Sequence, residues 1–483
     1  MKDKCRSRLM TLQTDQSVAG RKIRTRPESS LTTSICPDCR KVIPAAVYSS
    51  EGKVYMKKTC SQHGEVVSLV SSDSLLYDES FSYNIPGKLH LIKNFSSRAS
   101  GNCPLDCGIC SEHLQHTCAA LIETTNKCNL NCPVCYMDAN SGPDEIPSLE
   151  ELRGMLELLL RSEVSPPSIN VTGGEPTTRR DLREIISMAH SMGFNDITLS
   201  TNGIVVSKNP ALLKDLADSG LTEVAISLDG LNDSIFMKTR GVPLLDTKIK
   251  AIDAAVDAGL SITVSATLVP GVNIDQIGKI IEFAKRRHLD GVNFAPLAFI
   301  GRYPKEFQDY NKRLTIPDVL KEIEAQTNGE LSTKDFVPVP CPDNRCSTMT
   351  YAFNDGKRLY PITDYLDIRA YLDVYGDKVC SGPEGCDWIS QAIDKLWSMS
   401  AIPGSQRVLS NISTLSPKIR PAKDVMTVQI HAFQDPWTFD TERIKKCCIH
   451  VTTGDKLIPF CAYNNLYRAK QQEERLPIAN TSA

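Results

Sequence analysis

Between Leu121 and Leu297 the chain keeps one rhythm. Short apolar runs rich in β-branched residues, "AALIETT", "SINVTGG", "DITLSTNG", "EVAISLDG", "SITVSATLV" and "GVNFAPL", each end in a turn-forming stretch and read as buried strands. Longer segments with helical spacing lie between them. "SLEELRGMLELLLR" predicts a helix with Ser148 as N-cap and Glu151 completing a capping box. Further helices are expected near residues 181–192, 210–219, 247–258 and 275–287, with Gly193, Gly220 and Gly259 placed where a helix stops. Six strand-then-helix units predict parallel strands with right-handed crossovers. The expected fold class is α/β: a partial (β/α)6 TIM-like barrel, open on one side, rather than a closed eight-stranded one.

Outside this region the pattern divides the chain. Residues 1–30 are polar, basic and aperiodic, and are expected to be a flexible tail. Residues 31–75 read as a small β-rich module, in which "AAVYSSEGKVYMKKTC" is two strands around a Glu51-Gly52 turn. Residues 76–118 are irregular and end in a cysteine cluster, residues 119–300 are the barrel, and residues 301–468 form a C-terminal domain where the rhythm breaks up. A hairpin is expected at Gly454-Asp455, and residues 469–483 form a polar tail. No internal repeat is evident.

Composition narrows the class. A chain of 483 residues is too long for one ordinary core. With 55 basic against 57 acidic residues it lacks the basic bias of a nucleic-acid binder. No apolar run approaches the length of a membrane span, "MLELLL" at 155–160 being too short, and the N-terminus has no signal-peptide stretch, so a cytoplasmic location is expected.

The 18 cysteines change the picture most. They fall in tight clusters, with none between Cys135 and Cys341, which points to metal rather than disulfides. "CPDC" and "CSQH" place Cys36, Cys39, Cys60 and His63 as paired knuckles across a β-ribbon, suited to one tetrahedral zinc or rubredoxin-like iron, with Cys5 an alternative to His63. "CPLDCGICSEHLQHTC" offers Cys103, Cys107, Cys110 and Cys118, enough to hold an auxiliary [4Fe–4S] cluster, while His113 and His116 read as surface residues. Cys341, Cys346, Cys448 and Cys461 form a candidate second auxiliary set. Cys447 is then spare or replaces Cys448, and Cys380 and Cys386 are a separate pair or free thiols.

"TTNKCNLNCPVCYM" follows the first predicted strand, where parallel α/β folds gather their active sites. Cys128, Cys132 and Cys135 are one ligand short of closing a four-iron cluster, so one iron is left open to an outside ligand. "CNLNCPVCY", with Tyr136 after the last cysteine, resembles the radical S-adenosylmethionine (SAM) superfamily signature. The resemblance implies that SAM chelates the open iron and is cleaved to a 5′-deoxyadenosyl radical. It further implies that "TGGEP", with Gly173, Gly174 and Glu175, binds the SAM amino group. Ser200, Thr201 and Asn202 of "STNG", and Ser227 and Asp229 of "SLDG", are candidate contacts to the ribose or carboxylate. Val269 and Asn273 are weaker candidates near adenine.

The order of cysteine sets, from "CPDC…TCSQHGE" to "KKCCIHV…DKLIPFCAYN", resembles archaeal tetraether lipid synthases and their relatives over roughly residues 31–468. What that likeness implies is carbon–carbon coupling of lipid chain ends, with a diether lipid as substrate and peripheral membrane contact. The alternative it carries is radical methylation of a dihydropterin, a small heterocycle, in methanopterin biosynthesis. Either reading implies one SAM-binding and two auxiliary [4Fe–4S] clusters, one zinc or iron, and a ferredoxin- or flavodoxin-type reductant.

Overall fold

A computed structural model describes residues 29–142, 144–339, 341–364 and 424–468. Cys5, Cys380, Cys386, residues 1–28 of the expected N-terminal tail 1–30 and the expected tail 469–483 lie outside the described residues, and Ser29 and Ser30 of the first tail belong instead to a strand.

The N-terminal module is a four-stranded antiparallel sheet: β1 (Ser29–Ile35), β2 (Val42–Ser50), β3 (Lys53–Cys60) and β4 (Gly64–Ser71). Its central hairpin turns at Glu51 and Gly52, both with positive φ, as the two-residue loop between twisted strands requires. Alternation along β3 buries Val54, Met56, Lys58 and Cys60 and exposes the residues between.

The remaining strands form one larger sheet. β5 (Ala119–Glu123), β6 (Ser168–Thr172), β7 (Ile197–Thr201), β8 (Glu223–Ser227), β9 (Ser261–Leu268) and β10 (Gly291–Pro296) lie side by side in sequence order, all parallel. The helices between them include α1 (Leu149–Ser162), α2 (Leu182–Ser191), α3 (Leu245–Asp257) and α4 (Ile277–Arg286). α1 begins with the predicted capping box of Ser148 and Glu151, and Gly193, Gly220 and Gly259 all take positive φ after their helices.

The parallel set is larger than six. β14 (Val425–His431) pairs parallel with β10, and β15 (Ile449–Thr452) pairs parallel with β5. β11 (Val337–Pro338), β12 (Ser347–Asn354) and β13 (Leu359–Pro361) continue antiparallel beyond β14, and β16 (Leu457–Pro459) continues beyond β15 across the hairpin expected at Gly454-Asp455. The cause is the edge problem. An open six-stranded sheet leaves two rows of unpaired backbone groups, and the C-terminal region supplies strands to cover both. These strands do not alternate with helices as β5 to β10 do, so the strand–helix rhythm does not extend to them. Among the described residues the sheet path ends at β11 and β16 without joining them. No described helix is long and apolar enough to cross a membrane.

The two faces of the parallel sheet differ. Ile169, Val171, Leu199, Val224, Ile226, Val264 and Phe294 point outward and make the main core with the helices. The alternate positions, Asn170, Ser200, Ser227, Ser265, Asn293 and Gln429, are polar and only half-buried. Ser227, Ser265, Asn293 and Gln429 share one level across β8, β9, β10 and β14. The inner face is therefore lined with small hydrogen-bonding groups rather than packed with large apolar side chains.

Candidate active site and metal centres

The loop after β5 carries Cys128, Cys132 and Cys135, and its shape is fixed by polar groups around it. Asn140, held at φ 69°, accepts from Cys128 N at 2.8 Å and donates to the carbonyls of Cys128 at 3.1 Å and Leu130 at 2.9 Å. Leu130 N and Ala139 N point at the sulphurs of Cys128 and Cys135, at 3.4 and 3.5 Å. Hydrogen bonds of this kind tune cluster thiolates. Arg302, just past β10, donates to the Cys132 carbonyl at 2.8 Å and to Asp138 at 3.0 Å. Burial pushes the Cys128 thiol up to about 11. A buried thiol in that condition ionises once a cationic metal is its neighbour, so the loop suits a metal centre that supplies positive charge.

The glycines of "TGGEP" serve the loop first. A Cβ on Gly173 would run into the Thr125 backbone, and one on Gly174 into the Lys127 carbonyl. Their absence lets Gly174 N reach Thr125 O at 2.7 Å and Glu175 N reach Lys127 O at 2.8 Å. Glu175 is 1% exposed, and its carboxylate accepts from Thr177 N and Oγ1, Thr201 Oγ1 and Asn202 N. The expected acceptor for a ligand ammonium is thus engaged by four protein donors, because its position between two loops puts their amides and hydroxyls around it. Its role in the structure is to set Asn202, whose Nδ2 lies 3.8 Å from Cys128 Sγ and 2.7 Å from Asn129 Oδ1.

The other strand ends divide similarly. Ser200 lies on the inner face and donates to Asn170 at 2.8 Å. Ser227 Oγ accepts from Lys248 at 2.8 Å, and the same ammonium holds the Asn202 carbonyl at 2.6 Å. Asp229 is 0% exposed and fully engaged by Arg240, Thr239 and Thr267 N. Asn273 ties Val269 N, the Thr267 carbonyl and the Asp229 carbonyl together, and Val269 is buried beside Val134, so both belong to the loop's own core. Tyr136 is 37% exposed and meets the Phe460 ring at 5.6 Å. Asn140, Arg302, Arg240 and Lys248 are the residues that motif reading missed. They act through backbone carbonyls and buried charges, and no local pattern marks them.

In the N-terminal module Cys36, Cys39, Cys60 and His63 bring their donor atoms within 4.8 Å of one another. His63 Nδ1 lies 3.6 Å from Cys36 Sγ and 3.5 Å from Cys60 Sγ. Three sulphurs and one nitrogen at that spacing fit a single tetrahedral ion.

The remaining cysteines regroup. Cys103 and Cys107 are paired neighbours, and Cys447 adds to the upward push on the Cys107 thiol. Cys118 meets Cys341 instead, on Cα atoms 7.9 Å apart, wider than a disulfide spans. β15 lies directly beside β5, so Cys118 N bonds to the carbonyl of Cys448 at 2.9 Å. Cys346 lies near enough to Cys448 and Cys461 to raise both thiols, and burial is the larger cause, taking Cys461 up to about 12. Arg443 points at Cys346 Sγ from 3.3 Å. His113 and His116, expected at the surface, are not there. His113 is buried against Cys447 O at 2.8 Å and His450 at 3.3 Å, and His116 lies 3.5 Å from Cys118 Sγ. Sequence near them is polar, but the C-terminal strands fold over this stretch and bury it.

A cavity of about 470 Å³ opens over the ends of β10 and β14. It is walled by Leu76, Tyr83, Leu297, Ile316, Phe336 and Phe433, with Asn344 and Arg443 among its polar groups. None of the three loop cysteines lines it, but Leu297 packs with Val134 of the cysteine loop.

Comparison with known proteins fits this arrangement. The family model of the radical SAM superfamily matches residues 122–284, from the first barrel strand to the helix after the fifth. The chain is therefore a radical SAM enzyme, and a four-iron cluster and SAM are its family's shared cofactors. A second family model, the HMPTM N-terminal zinc ribbon domain, matches residues 29–72. The chain belongs to the family of the 7,8-dihydro-6-hydroxymethylpterin dimethyltransferase of Methanocaldococcus jannaschii, to which it is 35% identical over 486 residues, 92% of this chain and 95% of that one. A probable GTP 3′,8-cyclase of Sulfurisphaera tokodaii is 31% identical over 201 residues, 42% of this chain and 63% of its own. Among solved structures, native anSMEcpe with bound AdoMet gives a TM-score of 0.35 at 18% identity, covering 44% of this chain and 59% of that one.

Proposed function

We propose that this protein is a radical SAM methyltransferase acting on a dihydropterin or a closely similar small heterocycle. The carrying observation is the match to the pterin dimethyltransferase along nearly the whole of both chains. The polar inner face supports it, since Asn170, Ser200, Ser265, Asn293 and Gln429 are the amides and hydroxyls that a flat, nitrogen-rich ring uses. Asn293 Oδ1 is buried there without a hydrogen-bond partner.

In this reading Cys128, Cys132 and Cys135 hold the SAM-binding cluster, which when loaded supplies the electron that cleaves SAM. Glu175 and Lys248 hold Asn202 beside it from two sides. Cys103, Cys107 and Cys110, with Cys447 as the fourth ligand, hold one auxiliary cluster, and the other draws its four ligands from the group around Cys118, Cys341, Cys346, Cys448 and Cys461. Cys36, Cys39, Cys60 and His63 hold zinc. The reductant is a ferredoxin or flavodoxin.

The test is anaerobic, reconstituted enzyme given dithionite, 7,8-dihydro-6-hydroxymethylpterin and SAM or another one-carbon donor with a labelled carbon. Labelled methyl groups in the pterin, read by mass spectrometry, are expected. SAM cleavage without label in the pterin overturns the reading.

A second reading, lipid chain coupling with peripheral membrane contact, is favoured by one observation: the 470 Å³ cavity has a largely aliphatic and aromatic wall. Archaeal-type diether lipid in the same assay then yields joined chains. Absence of joined chains alongside 5′-deoxyadenosine rejects it.

A further inference from the structure

Beyond the cysteines, one histidine faces the centre at the start of β5. His116 Nε2 lies 3.5 Å from Cys118 Sγ, and the donor atoms of His116, Cys118 and Cys341 all fall within 4.8 Å of one another. Its other nitrogen, Nδ1, faces Glu163 Oε2 at 3.7 Å. Glu163 is 3% exposed and ends α1. Its Oε1 accepts from Thr117 N at 2.9 Å, while Oε2 has no hydrogen-bond partner. A buried carboxylate oxygen without a donor is costly, and the Nδ1–H of His116, at 3.7 Å, is placed to supply one. That proton assignment leaves Nε2 bare and directed at two sulphurs. A bare Nε2 facing two sulphurs either accepts an S–H or, where the sulphurs are thiolates holding a metal centre, shares a cation with them. A carboxylate fixing one imidazole nitrogen while the other binds metal is the usual arrangement around metal-bound histidine.

The backbone is fixed to match. Gln115 donates to the Cys341 carbonyl at 2.8 Å and accepts from His116 N at 3.0 Å, joining the two ligand-bearing segments.

We propose that His116, through Nε2, takes the place of one thiolate among the four ligands of the iron–sulfur centre held by Cys118 and Cys341, and that Glu163 is its positioning residue. The inference rests on the reading of these cysteines as cluster ligands. Histidine in place of thiolate removes negative charge from a cluster and raises its reduction potential. This centre is then the more readily reduced of the auxiliary pair.

The experiment is pulsed electron paramagnetic resonance on the full-length, reconstituted, reduced holoenzyme, with and without ¹⁵N-histidine. A strongly coupled histidine nitrogen is expected. It should vanish in His116→Ala and in His116→Cys, the latter keeping a full ligand set, and persist in His113→Gln. Glu163→Gln should keep the coupling and raise the midpoint potential of the centre, because a neutral amide withdraws less of the Nδ1 proton than a carboxylate. Absence of the coupling in the wild type, or its survival in His116→Cys, overturns the proposal. Iron counts separate the two levels. If Cys118→Ala with Cys341→Ala loses no iron, the cluster reading fails and the proposal falls with it. If iron is lost but no nitrogen couples, only the ligand assignment falls.

Discussion

Arg302 and Cys135 exchange two backbone hydrogen bonds of 2.8 Å, a single antiparallel bridge that joins the segment after β10 to the cysteine loop. The Arg302 guanidinium extends the link to the carbonyl of Cys132. Arg302→Ala keeps the bridge and removes the side-chain bonds. Charged hydrogen bonds of this kind are worth about 1.5–3 kcal/mol each. Cluster retention under chelator challenge should fall about tenfold or more, with the ribbon metal unaffected. Unchanged iron release would mean that the bridge alone holds the loop.

Gly174 tests the close approach of the two loops. A Cβ there meets the Lys127 carbonyl, which is backbone and cannot rotate away. Overpacking of this sort costs roughly 1–3 kcal/mol. Gly174→Ala should cut 5′-deoxyadenosine formation by roughly ten- to a hundredfold by moving Glu175 and, through it, Asn202. A variant with wild-type SAM cleavage would show that the loops yield without consequence.

The N-terminal ribbon reaches the rest of the chain through the 436–439 stretch. Lys58 donates to the Pro436 carbonyl at 2.5 Å, Ser68 to that of Trp437 at 2.7 Å and Ser34 to that of Phe439 at 2.6 Å. Trp437 stacks on Tyr310 at 6.0 Å and meets the edge of Phe299. A four-stranded module this small depends on its metal for folding. Cys39→Ser, or selective removal of the ribbon metal, should therefore loosen the clamp. In a Trp388→Phe, Trp397→Phe background, Trp437 emission should shift to the red. An unmoved spectrum would show that the clamp survives without metal.

How much of this was legible depended on the range of the signal. The six parallel strands β5 to β10, the Ser148–Glu151 capping box and the Glu51-Gly52 turn are written in local periodicity and turn chemistry, and each was readable. The parallel pairing of β14 with β10 and of β15 with β5 was not, because those partners lie more than a hundred residues away. The cysteine loop was readable from spacing alone. The partners of Cys118 were not. Proximity along the chain pointed to Cys103, Cys107 and Cys110, whereas the pairing of β15 with β5 brings in Cys448 and the loop before β12 brings in Cys341. Tetraether lipid coupling drew on the order of cysteine sets, a feature that relatives with different substrates share. The half-buried polar face was present in the strand alternation, but its meaning appears only when the strands are aligned.

Lys248 offers a prediction in pH. Its ammonium is buried between the Asn202 carbonyl and Ser227 Oγ. Burial, reinforced by Arg240 and opposed by Asp229 and Glu175, pushes it down to about 7. An unfolded lysine keeps its proton to about pH 10. Between those values the unfolded chain binds more protons than the folded one, so the contribution of this group to stability rises with pH from about 7 to about 10. It is lost as pH falls back through that window and is flat below it. Lys248→Met removes the slope and leaves the Asn202 carbonyl and Ser227 without a donor. The melting temperature of the anaerobic variant, compared with wild type at pH 7 and pH 9, should show a smaller gain on going to pH 9. An equal gain in both would mean that Lys248 keeps its proton throughout. Asn202 would then be held by a full positive charge beside the cysteine loop.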